Sequence, residues 1–399
     1  MPDISNKGRL MPESPIRKLV PYAEEAKRKG RKVYHLNIGQ PDIITPPNAI
    51  EALRKTDIKI VEYSHSAGNI SYRKKLVEFY RKRDIFIDES QIMVTTGGSE
   101  ALLFTFLSIM DEGDEIIIPE PFYANYNGFT TAAGVKVVPI TSYIENNFAL
   151  PPIEEFEKLI TSRTKAILIS HPNNPTGYLY SKLELLKLAE LVKKYDLYLI
   201  SDEVYCDFSY TNEKYFSTMQ LQGVDDNVIL VDSVSKRYSS CGMRIGCLIT
   251  RNKKVINTVL KFAQARLSPP SFGQIAGEAL LDTPDSYLKE VFAEYVKRRN
   301  FTVERLNKID GVICPNPGGA FYTIIRIPVT DSDQFAQWLL SDFEYNNQTV
   351  MVAPGSGFYA TPGLGKNEIR IAYVLKIEDL IPAYDILEKA LFKYPGRIK

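Results

Sequence analysis

Between about residues 90 and 250 the chain alternates short apolar or β-branched runs with longer amphipathic stretches. The runs fall at 92–96, 115–119, 135–140, 166–170, 197–201, 228–231 and 245–250, each the length of a strand rather than a helix. One intervening stretch opens on Ser181 and Glu184, spaced as a capping box, and continues over 185–195 with apolar residues at helical spacing. Apolar strands joined through helices predict an α/β fold, a three-layer α/β/α arrangement around a mostly parallel sheet. In such sheets ligands bind beyond the carboxyl ends of the strands, so the residues after each run carry the functional interest.

The two ends of the chain read differently. Ser14 followed by Pro15 predicts a helix start, with Ile16, Leu19, Val20, Ala23 and Ala26 on one face and Lys27, Arg28, Lys29 and Gly30 at its close. After about residue 285 come a charged helix over 287–309, a Pro/Gly-rich turn from Cys314, and strand-like 321–327. A helix near 331–343, strand-like 349–352 and 368–372, and a final helix follow. The expected organisation is an arm over 1–13, a smaller α+β domain assembled from 14–44 and 286–399, and a large sheet domain over 45–285.

Composition excludes more than it assigns. Across 399 residues, 49 Lys and Arg oppose 48 Asp and Glu, a net charge of +1 that gives no global attraction to nucleic acid or anionic membranes. Hydrophobic residues at 44% and charged residues at 24% are those of a globular protein, not a disordered one. Cys206, Cys241, Cys247 and Cys314 form no CxxC pair, and with only His35, His65 and His171 beside them no metal is expected. No apolar run approaches the ~18 residues of a membrane helix, and the N-terminus lacks a signal-peptide core. A cytoplasmic protein with no membrane partner is the expectation.

Five segments follow the predicted strands. Thr95-Thr-Gly-Gly-Ser-Glu-Ala101 precedes an apolar helix, whose free N–H groups and positive dipole end suit a phosphate; it also reads as an ordinary strand-to-helix turn. His171-Pro-Asn-Asn-Pro-Thr-Gly177 is turn chemistry with two unusual consecutive asparagines. Ser201-Asp-Glu-Val-Tyr205 places an acid straight after an apolar strand, as a cap or as a functional carboxylate. Lys236, flanked by hydroxyl residues at a strand end, stands where a Schiff-base amine is needed, or in a solvated basic loop. Arg244 nearby can offer a planar fork to a phosphate. Finally, Arg370 interrupts an alternating apolar strand, as a ligand-binding cation or an outward-facing charge.

In this order and spacing the segments resemble the fold-type-I pyridoxal-phosphate (PLP) enzymes, specifically the class I/II aminotransferases of the aspartate aminotransferase superfamily, over nearly the whole chain. Ser-x-Ser-Lys236 followed by Gly-x-Arg244-x-Gly246 is the most specific part. The resemblance implies that Lys236 forms the internal aldimine with PLP and then moves the proton between substrate Cα and cofactor, while Asp202 pairs with the pyridine nitrogen. It implies that Tyr205 and Asn174 hydrogen-bond the ring's phenolic oxygen and that Tyr123 stacks on the ring. Gly98, Ser99, Ser233 and Arg244 would hold the phosphate, with Tyr63 reaching the phosphate of a neighbouring subunit in a homodimer. Arg370 would clamp the substrate α-carboxylate, helped by the backbone of Gly39, and cis peptide bonds are implied before Pro121 and Pro175.

The activity implied is transfer of an amino group from a 2-amino acid to a 2-oxo acid. A carbon–sulfur β-lyase or a cyclopropane-forming synthase on the same fold would share Lys236, Asp202 and Arg370, and transamination is preferred as the family's commonest chemistry. A dinucleotide site at Gly355-Ser-Gly-Phe-Tyr-Ala360 is disfavoured, because that motif lies far from any first βα unit. Aspartate aminotransferases of prokaryotic type often carry a lysine after the double glycine; here Ser99 and Glu100 stand there, which weakens the case for aspartate.

Overall fold

The computed structural model describes residues 2–211 and 214–398. Twelve strands are present among them: β1 Lys32–His35, β2 Ile92–Thr95, β3 Glu115–Glu120, β4 Lys136–Thr141, β5 Thr164–Ser170, β6 Tyr198–Asp202, β7 Val228–Ser233, β8 Gly246–Ile249, β9 Tyr322–Arg326, β10 Gln348–Met351, β11 Ala353–Pro354 and β12 Glu368–Ala372. Seven of these form the central sheet in the order β2-β8-β7-β6-β5-β3-β4. Only β8 runs against its neighbours, so the mostly parallel sheet is as expected.

Side-chain alternation explains the three layers. Ile167, Ile169, Leu199 and Leu230 join one apolar cluster, with residues of the helices Ile70–Arg81, Lys182–Tyr195 and Ser271–Leu280. Their immediate neighbours Ala166, Leu168, Ile200 and Val231 join another, with residues of the helices Gly97–Ile109 and Lys253–Arg266. Because successive side chains on a strand point to opposite faces, two separate cores mean a sheet covered on both sides. That is why these strands read as continuous apolar runs.

A third core draws on both ends of the chain. Leu19, Ala23, Tyr34 and Leu36 pack with residues from Val291 to Tyr394, around the antiparallel sheet β11-β12-β9 and the parallel pair β1 and β10. The strand β1 gave no sequence signal: four residues long with one buried position, it is held by its pairing to β10.

Two local expectations need correction. Residues 15–19 form turns, and the helix begins only at Val20 (Val20–Arg28), with Pro21 in its first turn. The Ser14 carbonyl does accept the N–H groups of Arg17 and Lys18, but the following chain is held by tertiary contacts instead of continuing as a helix. The cis peptide bonds are Glu120–Pro121, as implied, and His171–Pro172; Asn174–Pro175 is not one. Pro175 instead lies within a closed turn, in which Gly177 N–H donates to Asn173 O at 2.9 Å and Thr176 N–H to Asn173 Oδ1 at 3.1 Å.

Candidate active site

At the carboxyl ends of β5, β6 and β7 lies a cavity of about 370 Å³. Gly39, Gly98, Ser99, Tyr123, Asn174, Asp202, Tyr205, Ser233, Lys236, Arg244 and Arg370 all line it. Of the site residues that the resemblance implies, Tyr63 lies elsewhere; it is 78% exposed on this chain.

Asp202 is the last residue of β6 and is buried. Burial pushes its carboxyl up to about 6, against the lowering effect of Tyr126, which donates its hydroxyl proton to Oδ2 at 2.8 Å. Lys236 sits in the short helix Val234–Arg237 that directly follows β7. Its ammonium donates to Gly39 O at 2.8 Å and lies 3.9 Å from Cys241 Sγ. The next residue is locked: Arg237, almost wholly buried, pairs with Asp207 and with Asp232 at 2.9 Å. Burial alone would raise the Asp207 carboxyl, but Arg237 and, at 2.8 Å, Arg83 hold it well below the ordinary range. A buried ion pair of this kind fixes the helix that presents Lys236, so the solvated-loop alternative does not apply.

Arg370 occupies the centre of β12, all five residues of which are buried. It is 1% exposed, so the outward-facing alternative is excluded. Its Nη1 donates to Asn174 Oδ1 at 3.0 Å and its Nη2 to Asn37 O, while Nε has no partner. The guanidinium stacks over the Tyr322 ring at 4.5 Å and the Phe358 ring at 4.9 Å. Among the described residues no carboxylate pairs with it, and burial lowers its pKa. A buried cation without a counter-ion is costly, and here it borders a cavity large enough for one.

Another part of the wall carries a helix start and a second guanidinium, that of Arg244. The helix Gly97–Ile109 starts there, and Thr96 gives it no side-chain cap, whereas Ser181, Asn252 and Asp331 cap their helices. Gly98 and Ser99 of its first turn line the cavity, which brings the helix's unpaired N–H groups and positive dipole end to that wall. Arg244, in the left-handed region at φ 53°, reaches across with Nη2 3.4 Å from Thr96 O. The Ser233 hydroxyl is engaged within the chain, with Ser235 Oγ at 2.7 Å and Ile245 O at 3.1 Å.

Tyr205 and Tyr322 share a hydrogen bond of 3.0 Å between hydroxyls, and burial raises the Tyr205 phenol. Tyr123 is likewise raised by burial, to about 12. The close approach of the 36–40 segment requires Gly39, since a Cβ there would fall 1.5 Å from Tyr322 Oη. Tyr126, Tyr322 and Arg17 escaped sequence reading. Each reaches the site through tertiary approach, with no local motif to mark it.

The family model for aminotransferase class I and II matches residues 31–385. An aspartate aminotransferase of Pyrococcus horikoshii is 34% identical over 97% of both chains. An aromatic-amino-acid aminotransferase 2 of Thermococcus litoralis is 32% identical over 97% of this chain and 98% of its own. The crystal structure of an aspartate aminotransferase from Thermotoga maritima superposes with TM-score 0.89 at 32% identity, covering 98% of this chain and all of that one. The chain belongs to the class I and II aminotransferases, the PLP-dependent family that its strand-end motifs resemble.

Proposed function

We propose that this aminotransferase holds pyridoxal phosphate in the Lys236 cavity and there moves an amino group from a 2-amino acid to a 2-oxo acid. The observation that carries the reading is Arg370, a buried guanidinium without a carboxylate partner, facing the same space as the Lys236 amine and the Asp202 carboxyl. The residues fit the cofactor. An uncapped helix start with Arg244 suits its phosphate, Tyr123 its ring face, Asn174 and Tyr205 its phenolic oxygen, and the destabilised Asp202 carboxylate its ring nitrogen.

Bound there, pyridoxal phosphate supplies a cationic ring that spreads the charge left when a substrate loses its Cα proton. Asp202, ionised beside that ring, keeps its nitrogen protonated. Arg370 binds the α-carboxylate through its open guanidinium edge and so fixes where Cα lies. Lys236 Nζ takes the Cα proton and returns a proton on the other side of the transfer, a positioned general base of the kind worth ~10²–10⁴-fold. Gly39 O orients that amine.

The same proposal extends to the assembly. Tyr63, exposed on this chain, would serve the site of a second copy in a homodimer with shared sites. The segment 14–44 with 286–399 would close as a smaller unit over 45–285. Among the described residues no helix is long and apolar enough to cross a membrane, and all four cysteines are free, which suits a reducing cytoplasm.

The test is a panel of amino donors with 2-oxoglutarate as acceptor. The donor's 2-oxo acid and glutamate should appear in equal amounts. Pyruvate and ammonia released without an acceptor would instead make the chain a β-lyase.

A further inference from the structure

The first residue of β9, Tyr322, lines the cavity and is 2% exposed, yet the reading above gives it no task. Its hydroxyl meets the Tyr205 hydroxyl at 3.0 Å, and the two rings stand edge to face at 5.6 Å. The Arg370 guanidinium lies 4.5 Å from its ring centroid. The Gly39 backbone, whose carbonyl accepts the Lys236 ammonium, comes so near that a Cβ would fall 1.5 Å from Tyr322 Oη.

Backbone contacts fix the approach of the two phenols. Ala320 N–H donates to Phe208 O at 2.9 Å and Tyr210 N–H to Gly318 O at 2.8 Å, tying the chain before β9 to the chain after β6. Phe321 packs edge to face on Tyr205 at 5.2 Å, and Tyr373 Oη donates to Ala320 O at 3.2 Å. Two buried hydroxyls held from both sides in this way keep their hydrogen bond as a fixed feature of the site.

Counting protons gives that bond a direction. Each phenol has one, and either hydroxyl can be the donor in the bond they share. A cofactor phenolic oxygen beside Tyr205 takes the Tyr205 proton, which leaves Tyr322 as donor to Tyr205 Oη. Two hydrogen bonds in series polarise one another, so the outer bond strengthens the inner one. A stronger bond to the cofactor's phenolic oxygen draws charge from it. The nitrogen that joins the cofactor to Lys236, next to that oxygen, then holds its proton less tightly.

We propose that Tyr322 is a positioning residue acting through Tyr205: its hydroxyl directs the Tyr205 proton onto the cofactor's phenolic oxygen and lowers the pH at which the Lys236 linkage gives up its own. The inference rests on the reading that the cavity holds pyridoxal phosphate. It assigns the 3.0 Å contact between phenols to the tuning of the cofactor, not to packing alone.

The test is a pH titration of the bound cofactor's absorbance in loaded wild type, Tyr322→Phe, Tyr205→Phe and the double variant. Tyr322→Phe keeps the ring beside Arg370 and removes only the hydroxyl. It should raise the midpoint by about 0.5–1 pH unit, the worth of one hydrogen bond. In the Tyr205→Phe background the same substitution should move it by less than about 0.2 unit, because the link is already cut. Binding of butyrate, an unreactive carboxylate, should stay within about twofold of wild type in Tyr322→Phe, since Arg370 keeps its ring partner. A midpoint unmoved by Tyr322→Phe, or moved equally in both backgrounds, would overturn the proposal and leave the cofactor site intact. So would a loss of butyrate binding of about tenfold, which would make the role a structural one. A wild type that shows no pyridoxal-phosphate absorbance after loading would overturn the reading beneath it.

Discussion

Two buried charges at this site, Asp202 and Arg370, lack counter-ions on their own chain, and the consequence is measurable for Asp202. Its folded pKa of about 6 lies above the ordinary 3.8, so between about pH 4 and 6 the native cofactor-free protein keeps a proton that the unfolded chain has lost. Stability therefore falls as pH rises through that window, by about 3 kcal/mol once complete. Asp202→Asn removes this penalty. The cofactor-free variant should melt about 2–4 °C above wild type at pH 7.5, with the difference shrinking toward pH 5. A variant that melts lower at pH 7.5 would contradict the assignment. At this scale Lys236, Asp202 and Asn174 stood out because each sits in a short polar segment at a strand end, and Arg370 because it is a charge inside an apolar strand. The burial of Arg370 was not legible: an alternating strand leaves open which face meets solvent, and Asn37, Asn174, Tyr322 and Phe358, distant in sequence, are what enclose its guanidinium.

The elements of the site are held by backbone contact. Of the two glycines around Arg244, Gly242 faces open space, whereas a Cβ on Gly246 would fall 2.6–2.8 Å from Gly97 C, Asp232 O and Gly98 N. The first strand turn of β8 is thus pressed against the helix start that faces the cavity. Gly246→Ala must push these backbones apart, a change of about 1–3 kcal/mol. It should weaken pyridoxal-phosphate binding at least tenfold, measured by titration, while Gly242→Ala binds as wild type. Equal behaviour of the two would contradict the packing described. Strands of the central sheet were readable to within two residues because burial on both faces leaves unbroken apolar runs. The Ser181 capping box was also readable, since its two hydrogen bonds are local. Ser14 misled for the converse reason: Pro15 and Ile16 answer to Gly357 and Phe358, far away in sequence.

Over the whole molecule, a net charge of +1 conceals local order, with Arg17, Lys236, Arg244 and Arg370 gathered around one cavity. One apolar cluster joins residues 19–36 to 291–394 and takes in Tyr205 and Phe208 as well. The assembly is tested by mixing subunits. If Tyr63 serves the partner's site, a hybrid of Tyr63→Ala with Lys236→Ala subunits contains one fully native site and should show about half the wild-type rate per dimer. If each chain completes its own site, the hybrid contains none, and its rate stays at the mean of the parents.

The central claim is that Lys236 anchors the cofactor and carries the proton. Its most direct test is the transamination rate of Lys236→Ala loaded with pyridoxal phosphate, measured with the best donor of the panel. The account predicts a loss of at least ~10⁴-fold, since anchor and base are removed together. A rate near wild type in that variant would contradict it.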